Sequence, residues 1–179
     1  MIEAIPQVQI YHPNVRLVII GVGPEQPYLE ELTYKLNLQD SVTFLGDISR
    51  KEALEYFQVA DVAVVPSLWE SFCYVAAEFM AFGRPLVVSA VDSLNELVPT
   101  NDYGIKIPVF MQNDKKSLYP GDIAEAICSL IEDTEFASRL GLNARERIYN
   151  EFTNNNFCSS IMNLCYELTN QPRTEGVFL

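Results

Sequence analysis

The sequence predicts an α/β fold, a doubly wound and mostly parallel sheet followed by a helical C-terminal extension. Short apolar runs rich in Val and Ile recur along the chain, helical patterns separate them, and the joints carry turn and capping residues. Parallel strands need crossover helices and are buried on both faces, and this rhythm supplies both.

The first strand is Val15 to Ile20, followed by a helix over Gln26 to Asn37 and a short strand from Val42 to Leu45. Ser49-Arg50-Lys51-Glu52 fits a capping box and opens the next helix, which leads to the strand Val62 to Val65. A helix over Tyr74 to Phe82 stops at Gly83, with Pro85 just beyond. The strand Leu86 to Ser89, a short helix at Asn95 to Val98, a last strand Gly104 to Ile107 and a helix from Gly121 to Glu132 complete five alternating units. Residues 1–151 therefore form the core of a single domain. Helices at Glu135 to Glu151 and Phe157 to Leu168 follow, and residues 170–179 read as a loose tail.

Composition narrows the function. The 179 residues are 49% hydrophobic, enough for one buried core. Asp and Glu number 24 against 12 Lys and Arg, a formal charge of −12 with no basic stripe, so nucleic acid is not an expected partner. Gly21-Val22-Gly23-Pro24 lacks a third glycine and reads as a tight turn rather than a dinucleotide fingerprint. No apolar run is long enough to span a membrane and no leader-like start is present, so a cytoplasmic location is expected, with any membrane contact peripheral and made by a part outside this chain. Cys73, Cys128, Cys158 and Cys165 are scattered, which suggests reduced and mostly buried thiols rather than a zinc site. His12 reads as a surface loop residue, and a lone histidine excludes histidine triads and multi-histidine metal centres.

The informative stretch is Glu70-Ser71-Phe72-Cys73-Tyr74-Val75-Ala76-Ala77-Glu78, at the carboxyl end of the strand Val62 to Val65, where open α/β sheets bind their ligands. Glu78 sits among Val75, Ala76, Ala77, Phe79, Met80 and Ala81, and a carboxylate in apolar surroundings needs partners. Five helical steps from Cys73 to Glu78 make about 7.5 Å of rise. That matches a phosphate at the helix N-terminus and the ribose attached to it. Free amides at Phe72, Cys73 and Tyr74 can receive the phosphate, the Glu78 carboxylate can accept bonds from two ribose hydroxyls, and Glu70 faces the group beyond the phosphates.

Two Glu with seven residues between them, Ser-Phe after the first, and a helix ending in Ala-x-Gly-x-Pro resemble the signature of glycosyltransferase family 4. Pro13 to Pro24, Val42 to Gly46, Ala60 to Ser67 and Asn95 to Val98 resemble that family's successive blocks in order, over nearly the whole chain to Glu151. The resemblance implies the C-terminal, donor-binding domain of a retaining transferase of GT-B architecture, with a Rossmann-like core. It implies transfer of a sugar, of hexosyltransferase type, from a nucleotide-diphosphate-sugar donor to an acceptor in polysaccharide or glycoconjugate synthesis. No metal or other cofactor is implied. Glu78 then binds ribose, Glu70 lies by the donor sugar in the catalytic position, Phe72, Cys73 and Tyr74 contact phosphate and sugar, and the backbone at Gly46 and Ile48 meets the base.

Three departures carry consequences. Cys73 stands where the family commonly has Gly; a helix N-terminus can lower a thiol's pKa, but the residue reads as a plain small apolar one. The family's Arg and Lys that clamp the diphosphate precede the helix represented by Met1 to Ile10, and Arg50, Lys51 and Arg84 read as solvated surface cations. The acceptor domain, in cis or as a separate chain, is expected as a partner, so the isolated chain is expected to be nearly inactive. The alternative is a non-catalytic nucleotide-sugar-binding or interaction module derived from such an enzyme.

Overall fold

The computed structural model of this protein describes residues 1–170; of the tail read for 170–179, Asn170 closes the last helix and 171–179 lie outside the described residues. A 3-10 turn at Ile2–Ala4 leads into α1 (Ile5–Gln9). Three βα units follow: β1 (Leu17–Ile20) and α2 (Gln26–Lys35), β2 (Val42–Gly46) and α3 (Arg50–Val59), β3 (Ala63–Val65) and α4 (Tyr74–Ala81). Then come β4 (Leu86–Ser89), α5 (Asp92–Leu97), β5 (Ile105–Ile107), β6 (Phe110–Gln112), β7 (Lys115–Ser117), α6 (Pro120–Glu132), α7 (Thr134–Glu151) and α8 (Asn154–Asn170).

The α/β class and the parallel pairing agree with the sequence. Among the described residues the ladder runs in two parallel pieces, β1-β2 and β3-β4-β5, rather than as one continuous sheet. The sequence also passes over the antiparallel hairpin β6-β7. Its two turn residues, Asn113 (φ 50) and Asp114 (φ 59), adopt the left-handed conformation without glycine, so the usual hairpin signal is missing. The short helix expected at Asn95 starts earlier, at Asp92. The last helix starts at Asn154, not Phe157.

β4 shows why the sheet is wound on both sides. All four of its residues are buried. Leu86 and Val88 point into a cluster with Ala76 and Met80 of α4, Leu94 and Leu97 of α5 and Ala144 of α7. Val87, one step out of phase, points into the opposite cluster with Val8 of α1 and Ile123, Ile127 and Leu130 of α6. Alternation with period two thus divides one strand between two apolar layers. Each fully buried aliphatic side chain contributes about 1.5–3 kcal/mol. A third cluster, with Ile5, Leu38 and Val42, packs α1 against the β1-β2 pair.

Helix α4 is fixed from outside by α7. Gly83 (φ 67) ends α4 as the sequence predicts. A Cβ on Gly141 of α7 would lie 2.0 Å from the Gly83 carbonyl oxygen, so only glycine admits this crossing. Gly141→Ala is expected to lower stability by about 2 kcal/mol despite the better helix propensity of alanine, measured by urea denaturation. Gly23→Ala, whose Cβ meets open space, serves as the neutral control. Equal midpoints for the two variants would contradict this packing.

Candidate functional site

The segment between β3 and α4 crosses the carboxyl ends of the strands and is held by its own Ser67 and by serines of β4 and α5. The Ser89 hydroxyl, at the end of β4, donates to the Ser67 carbonyl. The Ser67 hydroxyl donates to Glu70 Oε1 at 2.9 Å. The Ser93 hydroxyl of α5 donates to the Glu70 carbonyl at 3.2 Å. Buried hydroxyls need such partners, and here they fix the Glu70 backbone from one side and its carboxylate from the other.

The chain then turns into α4 at Cys73, whose backbone is left-handed, φ 67 and ψ 70. A non-glycine residue adopts this at a cost of about 1–3 kcal/mol, and such strain concentrates at functional sites. The turn also opens the helix: the first bond of α4 runs from the Ala77 N–H to the Cys73 carbonyl at 3.2 Å, so the amides of Phe72, Cys73 and Tyr74 precede any acceptor of the helix's own.

A cleft of about 430 Å³ lies over this turn, lined among others by Val65, Ser67, Glu70, Ser71, Cys73 and Tyr74. Glu70, Cys73 and Tyr74 are thus brought together as the sequence suggests. Phe72 turns its ring inward, 6.0 Å from that of Phe152 and against the core, and does not line the cleft. Tyr74 is exposed.

Glu78 lies farther along α4 and belongs to a second grouping. The sequence places it in apolar surroundings; the structure gives it an ion pair, Arg50 Nη2 to Glu78 Oε1 at 2.7 Å, with a quarter of its side chain exposed (25%). Arg50 stays on the surface, 80% exposed, in keeping with its reading as a solvated cation, and the structure adds its pairing with Glu78. It is the first residue of α3, directly after the Ser49 cap, and the capping box with Glu52 orients it. The same loop holds Gly46 (φ 68) and Ile48. The Gly46 carbonyl accepts from the Gly21 N–H at 2.9 Å, which ties the tight turn after β1 to this loop. Arg50, two residues after Ile48, thus links the segment that follows β2 to Glu78 on α4.

Other sequence expectations change. Cys73 is buried, and burial pushes its thiol up to about 11, with the nearby Glu70 carboxylate adding to the effect and the Ala76 N–H opposing it. The helix terminus does not lower it, because desolvation outweighs the dipole. All four cysteines are free, but Cys158 and Cys165 are exposed on α8 rather than buried. His12 is half-buried with Nε2 3.4 Å from Glu132. Arg84 is also partly buried, its Nη1 3.4 Å from the Ala60 carbonyl. Among the described residues no group of three or more His, Cys, Asp or Glu is placed to hold a metal ion. No helix among them is long and apolar enough to cross a membrane.

The sequence missed Arg50, Ser89 and the serine network because sequence separation hides these contacts: 28 residues part Arg50 from Glu78, and 22 part Ser89 from Ser67. Ser89 is the one legible hint, a polar residue closing a fully buried strand.

The family model for glycosyl transferases group 1 matches residues 1–147. An uncharacterized glycosyltransferase of Methanocaldococcus jannaschii is 34% identical over 164 residues, covering 92% of this chain and 40% of the relative. The solved sucrose-phosphate synthase of Thermosynechococcus elongatus superposes with a TM-score of 0.77 at 31% identity, over 94% of this chain and 42% of that one. The Anabaena HepE complex with UDP-glucose shares the fold, with a TM-score of 0.75 at 24% identity, over 93% of this chain and 44% of that one. This chain therefore spans less than half the length of these proteins.

The fold favours the neutral Cys73 thiol. Its contribution to stability is intact below pH 9 and is lost as pH rises toward 11. At about pH 8, iodoacetamide is expected to modify Cys158 and Cys165 at least about tenfold faster than Cys73, as read by peptide mass spectrometry. Comparable rates would contradict the buried, neutral thiol.

Proposed function

This chain belongs to the group 1 glycosyl transferases, and from that premise we propose that it holds the nucleotide-sugar donor of a retaining transfer. One observation carries the reading. The left-handed turn at Cys73 opens α4 at a cleft lined by Glu70, while Glu78 lies on the same helix and pairs with Arg50, which follows the Gly46 to Ile48 segment.

In this reading the diphosphate meets the amides of Phe72, Cys73 and Tyr74 at the positive end of α4. The ribose hydroxyls donate to Glu78, through the carboxylate oxygen that Arg50 leaves free. The base lies against the backbone of Gly46 and Ile48. Glu70, its carboxylate braced by Ser67, faces the sugar. As the glycosidic bond breaks, charge accumulates on the departing diphosphate, and preorganised amides stabilise it without reorienting. The donor site as proposed thus needs no metal. The UDP-glucose named for the Anabaena protein supports a nucleotide-sugar as the ligand class. A nucleoside diphosphate hexose is the donor proposed here, and polysaccharide or glycoconjugate synthesis the setting. Transfer also requires an acceptor-binding unit, in the same polypeptide or as a separate chain, so this chain by itself turns over little or no donor.

Calorimetric titration with UDP, GDP and ADP tests the ribose assignment. Glu78→Ala is expected to bind the preferred nucleotide at least about tenfold more weakly than wild type, the loss of hydrogen bonds to a charged acceptor. Equal affinities would refute the role of Glu78.

A further inference from the structure

The segment that carries Glu70 also carries Trp69, the chain's single tryptophan, with 76% of its surface exposed. An exposed indole is ordinarily free to change rotamer. This one is held: the Lys116 ammonium sits 3.7 Å from the ring centroid and 3.5 Å from the Leu68 carbonyl oxygen. Lys116 reaches it from β7 of the hairpin, which is braced in turn by Phe110 stacked on Tyr119 at 3.8 Å. The tight turn at Asn113 and Asp114 sets the register, placing Lys116 opposite Met111. Two elements distant in sequence thus cooperate to present one large aromatic surface to solvent. Its chain neighbours Ser67 and Glu70 line the cleft.

We propose that Trp69, positioned by Lys116, is a stacking platform for a pyranose ring at the sugar side of the cleft. This rests on the reading of Glu70 as the carboxylate facing the sugar. An aromatic face is electron-rich, and the C–H face of a pyranose is apolar with weakly positive hydrogens, so the two surfaces are complementary. Lys116 stabilises the ring by a cation–π contact and limits its rotamers before the sugar arrives, which lowers the ordering cost of binding. The pyranose is that of the donor or that of a saccharide acceptor, and the stacking chemistry is the same.

Because Trp69 is the only tryptophan, its emission reports the platform directly. The full chain is titrated with UDP, UDP-glucose, GDP, GDP-mannose and maltotriose, following tryptophan fluorescence and, in parallel, calorimetric affinity. At least one sugar-bearing probe is expected to shift the emission beyond what UDP or GDP causes. That probe binds Trp69→Ala about tenfold more weakly, the size of one aromatic contact, and binds Trp69→Phe with most of its affinity kept. Lys116→Gln keeps the affinity for the nucleotide alone while the sugar-dependent emission shift diminishes. A nucleotide-sugar as the responsive probe assigns the platform to the donor, and maltotriose assigns it to the acceptor. Sugar-bearing probes that bind Trp69→Ala as tightly as wild type, or that bind wild type without a shift beyond that of the bare nucleotide, overturn the platform. Failure of every nucleotide to bind instead overturns the donor-site reading. The maltotriose arm then decides the platform alone: Trp69-dependent binding sustains it, and anything else overturns it.

Discussion

The left-handed backbone at Cys73 is the constraint on which the site depends. A chain leaving β3 in an extended conformation must reverse into α4 within a few residues, and the reversal falls at a residue with a side chain. Its conformational cost is offset by burial of that side chain and by the serine bonds that hold the preceding loop. The result is a helix whose first amides face a cleft instead of a carbonyl. Without that turn Glu70 would lose its position over the strand ends, and α4 would not open at the cleft.

The rest of the fold keeps the turn in place. β4 is buried on both faces and anchors α4 on one of them, while α7 crosses the far end of α4 at a glycine-glycine contact. Cores of this density do not deform continuously, so a shift of α4 would have to displace β4 or α7 with it. A rigid helix thereby fixes the spacing between its N-terminal amides and Glu78. Arg50 holds the Glu78 carboxylate from the opposite helix. An exposed pair of this kind adds little stability, and its effect is to orient an acceptor group.

The fold class was legible because period-two runs and helical patterns alternate cleanly from Val15 to Glu132, and Gly83 and the Ser49 capping box marked boundaries correctly. Glu70 and Cys73 could be grouped from sequence because they lie within one short segment, but the left-handed turn at Cys73 could not. Features formed by contacts across sequence were not. Arg50 reaches Glu78 from another helix, and Ser89 and Ser93 reach the loop from later elements. The hairpin stayed hidden because asparagine and aspartate take the place of the glycine that usually marks such a turn. Cys73 reads from sequence as a small apolar residue and is buried as one, while the desolvation that overrides the helix dipole appears only once the side chain is packed.

Backbone amide chemical shifts during titration of the chain with UDP test the central claim most directly, since the claim concerns where N–H groups meet phosphate. The largest shifts are predicted at Phe72, Cys73 and Tyr74, with a second set at Gly46 to Ile48. Shifts concentrated instead in the groove between α1 and α6, at Gln7, Tyr11 and Glu132, would contradict it.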